Sequence, residues 1–165
     1  MTIGIAGPSN AGKSGLAAAI AREFHSVGTA VLCQDDYVFP EKQLPRIRDR
    51  IDWELPGTID FDRLRSDILA AKKRAEMVIV EGFLLFTRDS LNRLFDKMIF
   101  LEITEETFRE RKAKDDRWGH EPAWYVDHIW ESFLLYGQPP AGEDLLVIEG
   151  ENPWPMERIL EFLNK

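Results

Sequence analysis

Gly7-Pro8-Ser9-Asn10-Ala11-Gly12-Lys13-Ser14 sets two glycines, a lysine and a hydroxyl at the spacing G-x-x-x-x-G-K-[ST]. Average residue usage yields that pattern by chance in about one chain in a hundred of this length, so its setting must decide its meaning. The residue types suit the grip of a polyphosphate. Glycines let the backbone approach a ligand that a Cβ would hold off. Successive backbone N–H groups and the positive end of the next helix then face the phosphates. Lys13 is placed to reach the β- and γ-phosphates, and the Ser14 hydroxyl to ligate Mg²⁺. Gly7, Ser9, Asn10, Ala11, Gly12, Lys13, Ser14 and the adjoining Gly15 are the candidate phosphate-binding residues.

Phosphoryl transfer asks for more: a metal held, a nucleophile positioned or deprotonated, and transition-state charge neutralised. Asp35 and Asp36 end an apolar run, where one of them can accept the proton of an acceptor hydroxyl; alternate strand residues point oppositely, so one is expected to face the site. Solvated or capping aspartates are the plainer alternative. Glu81 closes another apolar run, where a carboxylate can hold a metal-bound water or fix the loop, or simply cap a helix. Arg109, Arg111, Lys112, Lys114 and Arg117 concentrate five cations in one stretch of an acidic chain. That invites a phosphate-facing lid, although Arg109 and Arg111 fall on different helical faces and at least half of the five are expected to be solvated. His120, His128 and Cys33 have no metal-ligand spacing. Trp53 and Trp118 lie in polar, irregular contexts and suit stacking on a planar, cationic ring, whereas Trp124, Tyr125 and Trp130 are expected in a core.

The elements that must position these groups alternate along the chain. Thr2–Ala6 is a short apolar strand before the loop, and Leu16, Ile20 and Phe24 share one face of a helix after it. Further strands are predicted at Ala30–Cys33, Met77–Val80, Met98–Ile103 and Leu145–Ile148. Between them, Asp60 and Thr104 are placed to cap helices, a short amphipathic helix is expected within 87–96, and an aromatic helix within 122–136. Pro155 opens a last helix with Met156, Ile159, Leu160 and Leu163 on one stripe. Residues 38–58, with three prolines, read as an irregular segment, of a length that is usually functional or mobile. Alternating strands and helices imply a parallel, three-layer α/β sheet with right-handed crossovers.

Bulk properties bound the partners. At 165 residues the chain suits a single domain, and 44% hydrophobic residues are too many for disorder. A net charge of −8 disfavours nucleic-acid and anionic-membrane surfaces. The lone Cys33 excludes an internal disulfide and suits a reducing compartment. No cationic leader opens the chain and the apolar runs are short, so a cytoplasmic protein is expected.

Four stretches together resemble the nicotinamide riboside kinase family, in the uridine kinase-like branch of P-loop kinases: Gly7–Ser14, Gln34-Asp35-Asp36-Tyr37, Ile79-Val80-Glu81-Gly82-Phe83-Leu84-Leu85-Phe86 and Asp127-His128-Ile129-Trp130. The resemblance covers nearly the whole chain. It implies a five-stranded parallel P-loop NTPase fold of the nucleoside kinase type over residues 1–165, with a short lid at about 109–121 and an acceptor segment at about 35–58. It also implies ATP and Mg²⁺ as partners and transfer to the 5′-hydroxyl of a small-molecule riboside. By position, Asp35 matches the general base, with Lys13 and Arg111 the other catalytic groups, and Glu81 joins Ser14 at the metal. Lys112 falls in the basic cluster of the lid. Trp53 matches an aromatic that stacks on the base, and Glu54, with Asp52 as competitor, a carboxylate that binds the ribose. Asp36, Arg117 and Trp118 are further substrate candidates. Uridine or cytidine phosphorylation is the alternative within the class, and a non-catalytic nucleotide-binding adaptor the alternative outside it; no N-K-x-D guanine motif supports a GTPase. A monomer or weak homo-oligomer is expected.

Overall fold

The computed structural model describes residues 1–117, 119–142, 144–150 and 153–165. Strand β1 (Thr2–Ala6) leads through the glycine loop into α1 (Lys13–Glu23), and β2 (Thr29–Cys33) ends in a 3₁₀ turn over Gln34–Tyr37. A two-stranded hairpin, β3 (Arg46–Ile47) and β4 (Arg50–Ile51), precedes α2 (Phe61–Ala71) and β5 (Met77–Glu81). Then come α3 (Asp89–Asn92), β6 (Lys97–Glu102), α4 (Glu105–Ala113), α5 (Ala123–Tyr136), β7 (Leu145–Glu149) and α6 (Met156–Leu163).

Five strands form one parallel sheet in the order β2-β5-β1-β6-β7. Side-chain alternation splits the core between its two faces. Ile3, Ile5, Ile79, Ile99, Leu101, Leu146 and Ile148 point to one face, against Leu16 and Ile20 of α1, Phe108 of α4, Ile129 of α5 and Ile159 of α6. Val78, Val80, Ala6 and Phe100 point to the other, against Leu64 and Ile68 of α2, Leu91 of α3 and Phe133 of α5. Strands buried on both faces are what continuous apolar runs encode. Each fully buried aliphatic side chain there stabilises by about 1.5–3 kcal/mol.

Helix starts separate structure from site. Asp60 accepts a hydrogen bond from Arg63 N at 2.9 Å and Thr104 one from Thr107 N at 3.1 Å, the caps expected of these residues. Helix α1 has no side-chain cap and no acidic residue in its first turn. Its open N–H groups face the mouth of the glycine loop, the arrangement that suits an anion.

In the sheet β5 lies between β2 and β1. Two details depart from the sequence reading. Asp35 and Asp36 belong to a 3₁₀ turn and not to the strand itself. Residues 38–58 are less irregular than expected: they hold the hairpin, with Arg48 at φ 53 in its turn. Cation–π contacts fasten that hairpin to α5, Arg48 lying 4.4 Å from the Trp124 ring centroid and Arg50 5.6 Å from that of Tyr125. Tyr125 also donates its hydroxyl proton to the Ile51 carbonyl at 3.0 Å. Among the described residues, no helix is long and apolar enough to cross a membrane.

Candidate active site

The carboxyl ends of the strands surround a cleft of about 440 Å³, lined by Ser9, Asn10, Gly12, Lys13, Ser14, Gly15, Asp35, Glu81, Phe83, Arg111 and Arg117. Ligands of open α/β sheets bind at this end. The backbone of the loop explains its glycines. Gly7 has φ 148, and a Cβ there would collide with the carbonyl oxygen of Leu101; Gly12 has φ 97 and caps α1. Asn10 takes the left-handed region at φ 62, which asparagine tolerates better than most residues. Gly7 and Ala11 are buried behind the loop and shape it without lining the cleft.

The metal candidates converge. Ser14 donates its hydroxyl proton to Glu81 Oε1 at 2.8 Å, bringing the first turn of α1 and the end of β5 to one point. A hydroxyl and a carboxylate so paired suit a hard divalent cation that keeps several waters. Lys13 donates to the Pro8 carbonyl at 2.9 Å, folding its ammonium back over the loop. Burial lowers its pKa, while the negative charges of Glu81 and Asp35 oppose that effect. Phosphate oxygens would add negative charge beside it and favour its charged form.

Asp35 opens to solvent through the cleft, yet the surrounding protein desolvates it enough to raise its carboxyl above the ordinary value. Lys13 works against that rise, and Glu81 and Asp36 add to it. A carboxylate more basic than usual is better suited to accept a proton near neutral pH. Asp36 does not line the cleft.

Residues 52–54 separate two carboxylates. Asp52 is occupied: its Oδ1 accepts from Glu54 N at 3.1 Å and lies 2.9 Å from His128 Nε2. Because a carboxylate only accepts, the His128 proton sits on Nε2 in this contact. Glu54 is buried, 9% exposed, and burial pushes its carboxyl up to about 8, with repulsion from Asp52 and Glu121 adding and Lys112 opposing. Trp53 between them stays 37% exposed.

The cations of residues 109–117 divide. Arg111 lines the cleft and donates from Nη1 to the carbonyls of Asn10 at 3.0 Å and Gly150 at 2.7 Å. Arg117 lines it too, held by Asp115. Arg109 pairs on the surface with Glu105 and Asp127. Lys112 does not reach the phosphate cleft. It is buried in an ion pair of 2.8 Å with Glu121, beside a second cavity, and its charge acts on Glu54. An i-to-i+1 step turns a side chain by about 100° round a helix, so Arg111 and Lys112 face different sites. Trp118 lies outside the described residues.

Two groups at the site escaped the motif reading. Asp115 lies inside the charged run, where only its cations drew notice. Trp154 follows the last strand, and its indole comes within 2.9 Å of where a Gly15 Cβ would be. Its signal was position: an aromatic just past a carboxyl-terminal strand end.

No protein-family model matches the chain. The chain is 26% identical to human nicotinamide riboside kinase 1 over 153 residues, covering 82% of this chain and 76% of that protein. It is 29% identical to uridine kinase of Chlamydia pneumoniae over 166 residues, covering 84% and 73%. Its structure superposes on a crystal structure of a sugar kinase from Janibacter sp. HTCC2649 with a TM-score of 0.65 at 21% identity, covering 99% of this chain and 94% of that one. The chain has the P-loop kinase fold. The resemblance to nicotinamide riboside and uridine kinases, first read from four short stretches, thus extends over most of the chain. A P-loop kinase fold also accounts for the five parallel strands and for a loop-to-helix turn left uncapped at the sheet's carboxyl edge.

Proposed function

We propose that this chain transfers the γ-phosphoryl group of ATP to the 5′-hydroxyl of nicotinamide riboside, yielding the mononucleotide. The observation that carries the reading is the sharing of one cleft by Lys13, Ser14, Glu81 and Asp35. Donor grip, metal ligands and a base with raised proton affinity are then within reach of one reacting phosphorus.

Residues Gly7–Gly15 and the open start of α1 hold the polyphosphate, with Lys13 on its outer phosphates. Ser14 and Glu81 would hold Mg²⁺, which neutralises charge on the transferring group. Asp35 accepts the proton of the attacking hydroxyl. Arg111 and Arg117 face the cleft from the lid side and offset the charge that builds on the equatorial oxygens. Glu54, free of the contacts that occupy Asp52, grips the ribose hydroxyls. Trp53 offers its exposed indole face to the base. A cationic pyridinium gains there from the ring's quadrupole, which favours nicotinamide riboside over a neutral pyrimidine. The similarity to a uridine kinase motivates the competing reading of a pyrimidine nucleoside acceptor.

A coupled assay of ATP consumption with nicotinamide riboside, uridine, cytidine and no acceptor tests the proposal. Consumption stimulated most by nicotinamide riboside is expected. Stimulation by uridine or cytidine alone would replace the acceptor, and no stimulation by any riboside would remove the kinase reading.

A further inference from the structure

Arg117 reaches the cleft from an exposed stretch beyond α4, with 68% of its side chain open to solvent. A free arginine in that position would sample many rotamers and lose that freedom on being fixed. It is not free. Asp115 Oδ1 accepts from Arg117 Nε and Asp115 Oδ2 from Nη2, each at 2.7 Å, the two-pronged geometry of a guanidinium on a carboxylate. Arg117 N donates to the same Oδ1 at 3.2 Å, closing a small ring of chain. The Asp115 side chain is 7% exposed, and the Arg117 hydrogen bonds hold its carboxyl well below the usual range.

Asp115 is itself anchored to the phosphate loop. Asn10 Nδ2 donates to Asp115 Oδ2 at 3.1 Å, while Asn10 Oδ1 accepts from the Ser9 hydroxyl at 3.2 Å. The carboxamide is suited to this position because it offers a donor to a carboxylate and an acceptor to a hydroxyl at once. An aspartate at position 10 would set like charges against each other. With its backbone in the left-handed region, Asn10 thus bridges Ser9 of the loop and Asp115. The backbone carbonyl of the same residue accepts from Arg111, so both cleft-facing lid arginines are referenced to Asn10.

We propose that Asn10 and Asp115 are positioning residues that register the lid to the phosphate loop: Asn10 fixes Asp115, and Asp115 fixes the Arg117 guanidinium over the outer phosphate of the bound nucleotide. The inference rests on the phosphoryl-transfer reading for its kinetic consequence, but not for its binding one. A cation fixed over the outermost phosphate favours a nucleoside triphosphate over the diphosphate, whether or not turnover follows.

The test is a double-mutant cycle on Asp115→Asn and Arg117→Ala, read as the ratio of ADP to ATP dissociation constants by calorimetry, with kcat measured in parallel. Asp115→Asn keeps shape and removes the charge that clamps the guanidinium. Each single variant is expected to reduce the ratio about tenfold, and the double variant no more than Arg117→Ala alone, because Asp115 acts through Arg117. Asn10→Gly, which keeps the left-handed backbone available, is expected to give a smaller loss in the same direction with an unchanged melting temperature. An unchanged or raised ratio in Asp115→Asn would overturn the proposal and make Asp115 a mere counter-ion. Additive losses would overturn it as well. Intact ADP/ATP discrimination without turnover on any riboside would count against the acceptor assignment and leave the clamp standing.

Discussion

Glu54→Gln isolates the most strained charge in the acceptor segment. Glu54 is 9% exposed, and its carboxyl rises from the ordinary 4.5 to about 8, chiefly because burial strips water from the ionised form. Asp52, Glu121 and Asp35 add repulsion, and Lys112 only partly offsets it. Between pH 4.5 and 8 the folded protein therefore holds a proton that the unfolded chain has released. The stability tied to that proton is fully present below the unfolded value and is lost as pH rises through the folded one. Each tenfold difference in proton affinity is worth about 1.4 kcal/mol, so the whole loss amounts to about 5 kcal/mol. Titrating groups remote from Glu54 contribute equally to both proteins and cancel in the difference. Urea unfolding at half-unit steps from pH 4.5 to 9 measures it. The stability of Glu54→Gln minus that of the wild type is expected to climb by about 5 kcal/mol across that range, with most of the climb complete by pH 8. A difference that stays flat with pH would refute the burial argument. Near pH 7 Glu54 is then a neutral acid, which under the proposed function donates to one ribose oxygen and accepts from another.

Two further outcomes follow from the cleft. Asp35→Asn is expected to bind ATP as the wild type does while losing about 10²–10⁴ in turnover. Because burial holds the Asp35 carboxyl above its ordinary value, the wild-type rate should rise with pH through that raised value, and the variant should lack this limb; near-normal turnover would remove Asp35 as the base. Ser14→Ala deletes a hydroxyl that meets Glu81 at 2.8 Å and should raise the Mg²⁺ concentration for half-maximal rate by about tenfold. An unchanged Mg²⁺ requirement would take Ser14 out of the metal site.

Local chemistry was legible in the chain, and long-range assembly was not. The loop, the apolar strands and the caps Asp60 and Thr104 each rest on a few neighbouring residues, so type and spacing suffice to read them. Strand order depends on which crossover packs where, and no residue in β2 announces that β5 will separate it from β1. The hairpin at 46–51 was hidden because its strands are two residues each and are fixed by Trp124 and Tyr125, far along the chain. Lys112 looked like a phosphate ligand by composition, but its partner Glu121 lies across the lid turn. Asp52 competes with Glu54 in the sequence because its partner His128 lies far along the chain. Asn10 was read as one position in a glycine loop, and only the fold reveals the partner that its side chain reaches.

Direct competition between acceptors tests the central claim most simply. With ATP·Mg²⁺ and equal concentrations of nicotinamide riboside and uridine, the phosphorylated products are separated and quantified at low conversion. Nicotinamide mononucleotide is predicted to dominate, and to vanish with Asp35→Asn. A predominance of uridine monophosphate, or nucleotide formation undiminished in that variant, would contradict the account.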